Sequence, residues 1–366
     1  LQFSAGAAIN RYDGDHFGRV MWAKQSNNLP EPDYEYYRNT GDKLDYNMYA
    51  KANYQLHPNL NGYLDMQYRG IHYTIEGSDD KAGDHVNVDK HWNFFNPKAG
   101  INFQKGGHNA FVSFSVAKPR TKTGTTSPRP AGTNAPQHET LYDYEAGYGF
   151  GNSRFHVGAN LYFMDYSNQL ILTGKISEIG EALTSNIKDS YRMGIELTGG
   201  VEIARWLDWS GNLTLSRNKI KNFIESIEVY DADWNFLRED HNDLGTTDIA
   251  FSPDIIANSM FNSAGNNSAQ VSTPSLSAAS ISTITSCKDR SIDPYISSAT
   301  CSVGYVFKPK FMKEIALDVT INNLFNEQYE TNAWVYSAMV DGERYKEDGY
   351  FTQAGTNAMA RVTFKF

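Results

Sequence analysis

Residues 47–56, NMYAKANYQL, put Met48, Ala50, Ala52, Tyr54 and Leu56 on one side of an extended chain and Asn47, Lys51, Asn53 and Gln55 on the other. Apolar residues at every second position mark a strand whose two faces meet different surroundings. The pattern recurs in Leu64, Met66 and Tyr68 against Asp65, Gln67 and Arg69, and in Ala99, Ile101 and Phe103 against Lys98, Asn102 and Gln104. Tyr142, Tyr144, Ala146, Tyr148 and Phe150 likewise oppose Asp143 and Glu145, and Leu207, Trp209, Leu213 and Leu215 oppose Asp208, Asn212 and Ser216. Towards the end Ile315, Leu317, Val319 and Ile321 alternate with Asp318, Thr320 and Asn322, and the last run sets Ala360, Val362, Phe364 and Phe366 against Arg361 and Lys365. About fourteen strands are predicted, many nearer ten to twelve residues than the five or six usual in soluble sheets.

Alternation alone also suits a soluble sandwich or propeller, so strand length and the connections carry the choice. Short turns, HPNLNG (57–62), KGGHN (105–109) and GFGNS (149–153), alternate with long polar segments at 13–45, 76–92, 118–140, 167–190, 222–248 and 326–355. Short turns at one end and long loops at the other are the layout of a transmembrane antiparallel β-barrel. The physical reason is hydrogen bonding: in hydrocarbon every N–H and C=O needs a partner, so strands cross only as a closed cylinder without a free edge. The expected fold is therefore all-β, with the apolar face on lipid and the polar face on a wet lumen.

Composition sharpens this picture. The mean hydropathy is −0.53 over 366 residues, and no apolar run approaches the roughly 18 residues of a transmembrane helix. Yet 23 Tyr, 20 Phe and 6 Trp are present, a richness that suits the aromatic girdles of membrane barrels. A net charge of −9 without a Lys/Arg cluster gives no support to a nucleic-acid partner. Cys287 and Cys301 are too few for a disulfide framework or a zinc site. The opening LQFSAGAAIN has neither a basic nor a continuous apolar region, so it does not read as a signal peptide.

Candidate chemistry is sparse. Acid-rich stretches occur at DGDHFG (13–18), GDHVNVDKHW (83–92) and EDHNDLG (239–245), and a spacing such as Asp13, Asp15 and His16 offers cation ligands. None matches an EF-hand loop or a zinc signature, and solvated loops are the plain alternative. No G-x-S-x-G elbow or H-E-x-x-H motif is present. No catalytic residue, cofactor site or metal site is assigned from the sequence.

Five segments, read in order, resemble the C-terminal part of the TonB-dependent outer-membrane receptors, most of all those of Bacteroidetes. They are PQHETLYDYEAGY (136–148), SYRMGIELTGGVEI (190–203), FSPDIIANSMF (251–261), LDVTINNLFNEQYETNAW (317–334) and the terminal aromatic Phe366. In that family the Asn-Leu-Phe-Asn unit followed by Tyr closes the penultimate strand and enters the last extracellular loop. The resemblance further implies that Phe366, with Phe364 and Val362, belongs to the signal read by the barrel-assembly machinery. It implies a protein of the cell outer membrane, in contact with its lipid, that binds a scarce bulky ligand. A ferric siderophore or similar iron complex comes first, with a corrinoid or a glycan as alternatives, and transport would be energised through the TonB complex. A passive porin-like or structural barrel is the alternative reading, with an outer-membrane barrel hydrolase behind it.

Two departures from the family stand out. Arg361 occupies the position, five before the last Phe, where the family usually has a small residue. Family members also carry a plug and about 22 strands in one chain, whereas fourteen strands leave about 26 residues for each strand and connection here. The whole chain, 1–366, is therefore expected to be the C-terminal portion of such a barrel, with the plug, the TonB box and the signal peptide lying outside it. Between Phe261 and Cys301 the aromatic alternation gives way to a Ser/Ala/Thr run, so 262–302 is expected to be irregular. It reads either as a flexible linker or as the product of a frameshift, because one codon choice for residues 271–285 encodes an aromatic strand in another frame. The same frameshift reading extends to 296–301 and 118–130.

Overall fold

The computed structural model describes residues 1–22, 24, 33–78, 85–118, 138–176, 182–250, 252–264, 270–272 and 300–366. Among them there is no helix, and seventeen strands follow one another: β1 (Gln2–Arg19), β2 (Glu35–His57), β3 (Leu60–Ser78), β4 (His85–Lys105), β5 (His108–Ala117), β6 (Thr140–Gly151), β7 (Phe155–Ile176), β8 (Ala182–Ala204), β9 (Leu207–Tyr230), β10 (Phe236–Asp248), β11 (Ile255–Ala264), β12 (Gln270–Ser272), β13 (Cys301–Phe307), β14 (Glu314–Asn322), β15 (Glu330–Val340), β16 (Glu343–Thr352) and β17 (Asn357–Lys365). They fall into two compact units, Leu1–Ile101 with Ser113–Tyr142, and Asn102–Val112 with Asp143–Phe366.

In the first unit β1 pairs antiparallel with β2 from Gln2↔Asn53 to Arg19↔Glu35, and β2 with β3 from Asn39↔Gly77 to His57↔Leu60. The exposed face carries Met48, Tyr54, Leu56, Leu64, Met66 and Tyr68. Nearer the long connections the apolar residues change sides: Ile71, Tyr73 and Ile75 of β3 and Phe94 of β4 are buried on the opposite face. Asp45 is buried there too, held bidentately by Arg69 at 2.9 and 2.6 Å and by Lys43 at 2.9 Å. A buried carboxylate needs such partners to offset its desolvation.

The second unit repeats the scheme. β7 pairs with β8, β8 with β9, β13 with β14, and β14 with β17, all antiparallel. β9 is 24 residues long, and its two halves have different neighbours. Residues 219–230 pair with β10, and 207–215 pair with β11. The break between β10 and β11 contains Ser252 and Pro253 of the FSPDIIANSMF segment. Ser216 Oγ and Asn218 Nδ2 donate to the Pro253 carbonyl at 3.1 and 3.4 Å, and Arg192 donates to Ser252 Oγ at 2.7 Å. A small apolar cluster of Ile171, Ile220 and Ile249, with Ile187 and Phe223 against it, packs beside this break.

Seventeen strands and fourteen expected ones reconcile through two features. β10 and β11 lie end to end along one neighbour, and β15 with β16 forms a hairpin inside the connection from β14 to β17. Its turn is Asp341-Gly342, both at positive φ (48° and 82°), the left-handed pair that a two-residue hairpin turn demands. The predicted strand lengths are corrected upwards. Among the described residues, the segments expected as polar loops at 13–45, 167–190 and 222–248 are largely strand, because ladder hydrogen bonds need no apolar side chains and continue where the alternation stops.

The short turns are built as their residues suggest. Gly106 and Gly107 take φ of 56° and 84°, and a Cβ on Gly107 would lie 2.3 Å from the Gly151 carbonyl oxygen. Within 262–302, β11 runs on to Ala264, and β12 pairs with residues 302–304 of β13. Cys301, a free cysteine, starts β13 half-buried. Residues 265–269 and 273–299, Cys287 among them, and residues 119–130 lie outside the described residues.

Candidate functional site

The acidic stretch 13–18 lies on β1, where alternation separates its members. Asp15 accepts from Arg38 Nη1 at 2.7 Å and from Thr40 at 2.8 Å, while His16 on the other face meets Tyr12 and Asn39, each at 3.1 Å. Asp13, Asp15 and His16 therefore form no common cation site. Arg38 also clasps Glu35 through two hydrogen bonds of 2.6 and 2.8 Å and lies 4.6 Å from the centre of the Phe17 ring. These hydrogen bonds hold the Glu35 carboxyl below its ordinary range. The stretch 239–245 is on β10, where Asp240 is bound by Arg238 and His241 meets Ser226 at 2.9 Å.

The feature that sequence reading missed lies in the second unit, at the β9–β10 turn. Trp234 has φ of 60°, a conformation that a bulky residue adopts only when its surroundings impose it. Asp231 imposes it. Its Oδ1 accepts from the backbone N–H groups of Asp233 and Asn235 at 2.9 and 2.8 Å, its Oδ2 accepts from Asn235 Nδ2 at 2.9 Å, and its carbonyl accepts from Trp234 N at 3.1 Å. The Asn235 bonds above all hold the Asp231 carboxyl below its ordinary range.

The indole so placed meets Tyr345 edge-on at 5.0 Å and Tyr230 at 5.6 Å. Phe236 lies 5.9 Å from Tyr230, and Tyr336 lies 6.4 Å from Tyr345. Trp234, Phe236 and Tyr345 are 46, 60 and 40% exposed, so the cluster presents ring surface outwards. Tyr336 and Tyr345 come from the β15–β16 hairpin, which is fixed to β9 by a short parallel pairing of 338–340 with 228–230 and by Arg344 donating to Glu225 at 2.5 Å. Hydrogen bonding to Glu228, at 2.7 Å, raises the Tyr230 phenol above its ordinary range. The only sequence signal was the turn composition around Asp231 and the Asp-Gly pair at 341–342; nothing local announces that the two turns meet.

The Asn-Asn-Leu-Phe-Asn unit ends β14 as a polar clasp. Asn323 and Asn326 take φ of 50° and 55°. Asn323 Oδ1 accepts from Glu327 N at 2.9 Å, and Asn326 Oδ1 accepts from Thr356 N at 3.0 Å. The long connection is thus tied at its neck before β17 begins. On β17, Val362 and Phe364 lie opposite Leu317 and Ile315 of β14, while Arg361 and Lys365 lie opposite Asp318 and Glu314. Val362, Phe364 and Phe366 are 52, 53 and 82% exposed. Arg361 meets its partner Asp318 at 3.2 Å, which accounts for a cation where the resembling family has a small residue.

Long antiparallel strands with an exposed apolar face, short turns and long tied connections are the wall of a membrane-spanning β-barrel. The family described as TonB dependent receptor-like, beta-barrel, matches residues 1–324, and the chain belongs to it. Its barrels are outer-membrane proteins, and its members are transport receptors. Similar solved structures include the ferric-catecholate import receptor Fiu of E. coli K12 in its closed form (13% identity, TM-score 0.65, 99% of this chain and 52% of that one). The siderophore receptor PiuA of Acinetobacter baumannii aligns at 14% identity with TM-score 0.67 over 100% of this chain and 53% of that one. The copper transporter OprC aligns at 12% identity with TM-score 0.69 over 100% and 56%. The chain thus spans about half the length of these structures. No curated protein matches the sequence.

Proposed function

We propose that this chain forms barrel wall and ligand-facing loops of an outer-membrane receptor that takes up a scarce, bulky iron complex of the ferric-siderophore class, energised through the TonB complex. The exposed aromatic cluster around Trp234 carries the reading. Rings held in place by a capped turn and a pinned hairpin give a large ligand flat contact surface with little conformational entropy left to lose. The siderophore receptors among the similar structures add support. In the complete receptor, Trp234→Ala and Tyr345→Ala should each weaken binding of a ferric siderophore roughly 2- to 10-fold, the range of an aromatic pair contact. Uptake of radiolabelled iron should stop when the proton gradient is collapsed. Uptake that persists identifies a passive pore and overturns the reading.

We further propose that Phe366, Phe364 and Val362 serve as the signal for the barrel-assembly machinery and then face lipid. An arginine near mid-membrane costs roughly 2–4 kcal/mol, so Phe364→Arg should lower outer-membrane yield far more than Lys365→Arg. Equal yields would reverse the assignment of the two faces.

A further inference from the structure

The third acidic stretch, 83–92, behaves unlike the other two. Asp89 and His91 are two apart on β4 and so share a face, and that face carries His72 of β3. One ligand atom from each of the three lies within 4.8 Å of the others, the one such group among the described residues. Asp89 Oδ1 is 2.9 Å from His72 Nε2 and 3.5 Å from His91 Nε2. Donors around a tetrahedral ion bonded at 2.0–2.2 Å stand about 3.3–3.6 Å apart, so the Asp89–His91 pair already has the spacing an ion requires, and the Asp89–His72 pair, now at hydrogen-bond distance, has to open by roughly 0.5 Å.

We propose that His72, Asp89 and His91 bind a divalent first-row transition ion, linking β3 to β4 on the exposed face of the sheet. Two imidazoles and one carboxylate form a donor set for Zn²⁺, Cu²⁺ or Ni²⁺ rather than for Ca²⁺ or Mg²⁺. Three protein ligands leave a further position for water or an outside ligand. The two rings stack at 3.8 Å with 13° between their planes, and parallel rings cannot both aim their in-plane lone pairs at one ion. Binding must therefore swing one ring out of the stack. The side chains of His72, Asp89 and His91 are 38, 62 and 66% exposed, so His91 is the ring with the room to make that rotation. The site is distinct from the Asp45–Arg69 pair. By alternation His72 projects from the side of β3 opposite to Arg69 and the buried Ile71.

The test titrates the purified full chain in detergent at neutral pH with Zn²⁺ alone, followed by calorimetry, and with Cu²⁺ alone, followed by electron paramagnetic resonance. His72→Gln and His91→Gln should each weaken the tightest site about 100-fold; even the loss of a residue that only supports a ligand typically costs 10- to 100-fold. His241→Gln, on β10 and outside the group, should leave it unchanged. The Cu²⁺ spectrum should carry the coupling of two imidazole nitrogens in the parent and of one in either variant. Asp89→Asn, which keeps the side-chain shape at an exposed position, guards against a folding artefact and should weaken binding as well. An unchanged affinity and spectrum in the His72→Gln/His91→Gln double variant overturn the proposal, as does an equal loss in His241→Gln.

Discussion

The two ends of β3 carry their apolar residues on opposite faces. Near the short turn Leu64, Met66 and Tyr68 lie on the exposed face, 43, 40 and 36% accessible. Only three residues past Tyr68, Ile71, Tyr73 and Ile75 are buried at 2, 9 and 5% on the opposite face. No register shift separates the two sets, so the backbone has not rotated; the apolar residues have changed sides. β9 shows the same exchange, from the 41% exposed Leu215 to the fully buried Ile220. Its left-handed Asn222 (φ 51°) then resets the alternation, so that Ile227 and Val229 are buried in turn. The hydrophobic effect drives apolar groups away from water wherever water is. On the outer-membrane reading proposed above, the exposed apolar face would mark the lipid-covered part of the strand, and the change of side would mark where water takes over.

That contrast can be broken by charge. Leu64→Arg should cost roughly 2–4 kcal/mol of stability in the bilayer. Thr74→Arg, on the same face ten residues further along β3, should stay within about 0.5 kcal/mol. Heat-modifiable mobility of membrane-extracted protein reads both, and equal losses would mean that the exposed face meets one solvent throughout. Truncation sharpens the same point from the buried side: Ile71→Ala should cost about 2–4 kcal/mol through the cavity it leaves, whereas Met66→Ala, whose neighbour on the proposed reading is fluid lipid, should cost less in urea unfolding from liposomes.

Smaller effects test the ends themselves. Gly107→Ala forces a left-handed alanine against the Gly151 carbonyl and should cost about 1–2 kcal/mol at the short-turn end, visible as slower refolding into vesicles or a lower urea midpoint. At the loop end the smallest signal is pH-dependent. The folded Asp231 carboxyl ionises below the ordinary aspartate range near 3.9, so its stabilisation of the turn is complete above that range and is lost as pH falls through the lower folded value. A fluorine-labelled Trp234 should keep its chemical shift from neutral pH down to about 4 and move only below it. In Asp231→Ala it should already be displaced at neutral pH. A shift that begins to move above pH 5 would show that Asp231 does not hold the indole.

Much of this was legible in the residues. Period two located the wall and its exposed apolar face, and the Asn-Asn-Leu-Phe-Asn unit located the end of β14. The Asp-Gly pair at 341–342 and the Gly-Gly pair at 106–107 are turns by their own backbone chemistry. Strand length was not legible beyond the point where alternation fades, because pairing there is carried by backbone groups that every residue possesses. Asp89 and His91 could be read as sharing a face, since their spacing is two.

What the sequence by itself determined is therefore everything set by the chain's own period and turns: an all-β chain, its apolar side, its short connections and the polar neck at 323–326. The tertiary structure decided which distant residues meet: His72 with Asp89 and His91, Trp234 with Tyr345, and Asp318 with Arg361. Such meetings depend on cross-strand register and on where a hairpin lands. A shift of one residue turns every side chain to the other face, so register belongs to the assembled ladder and not to any single segment.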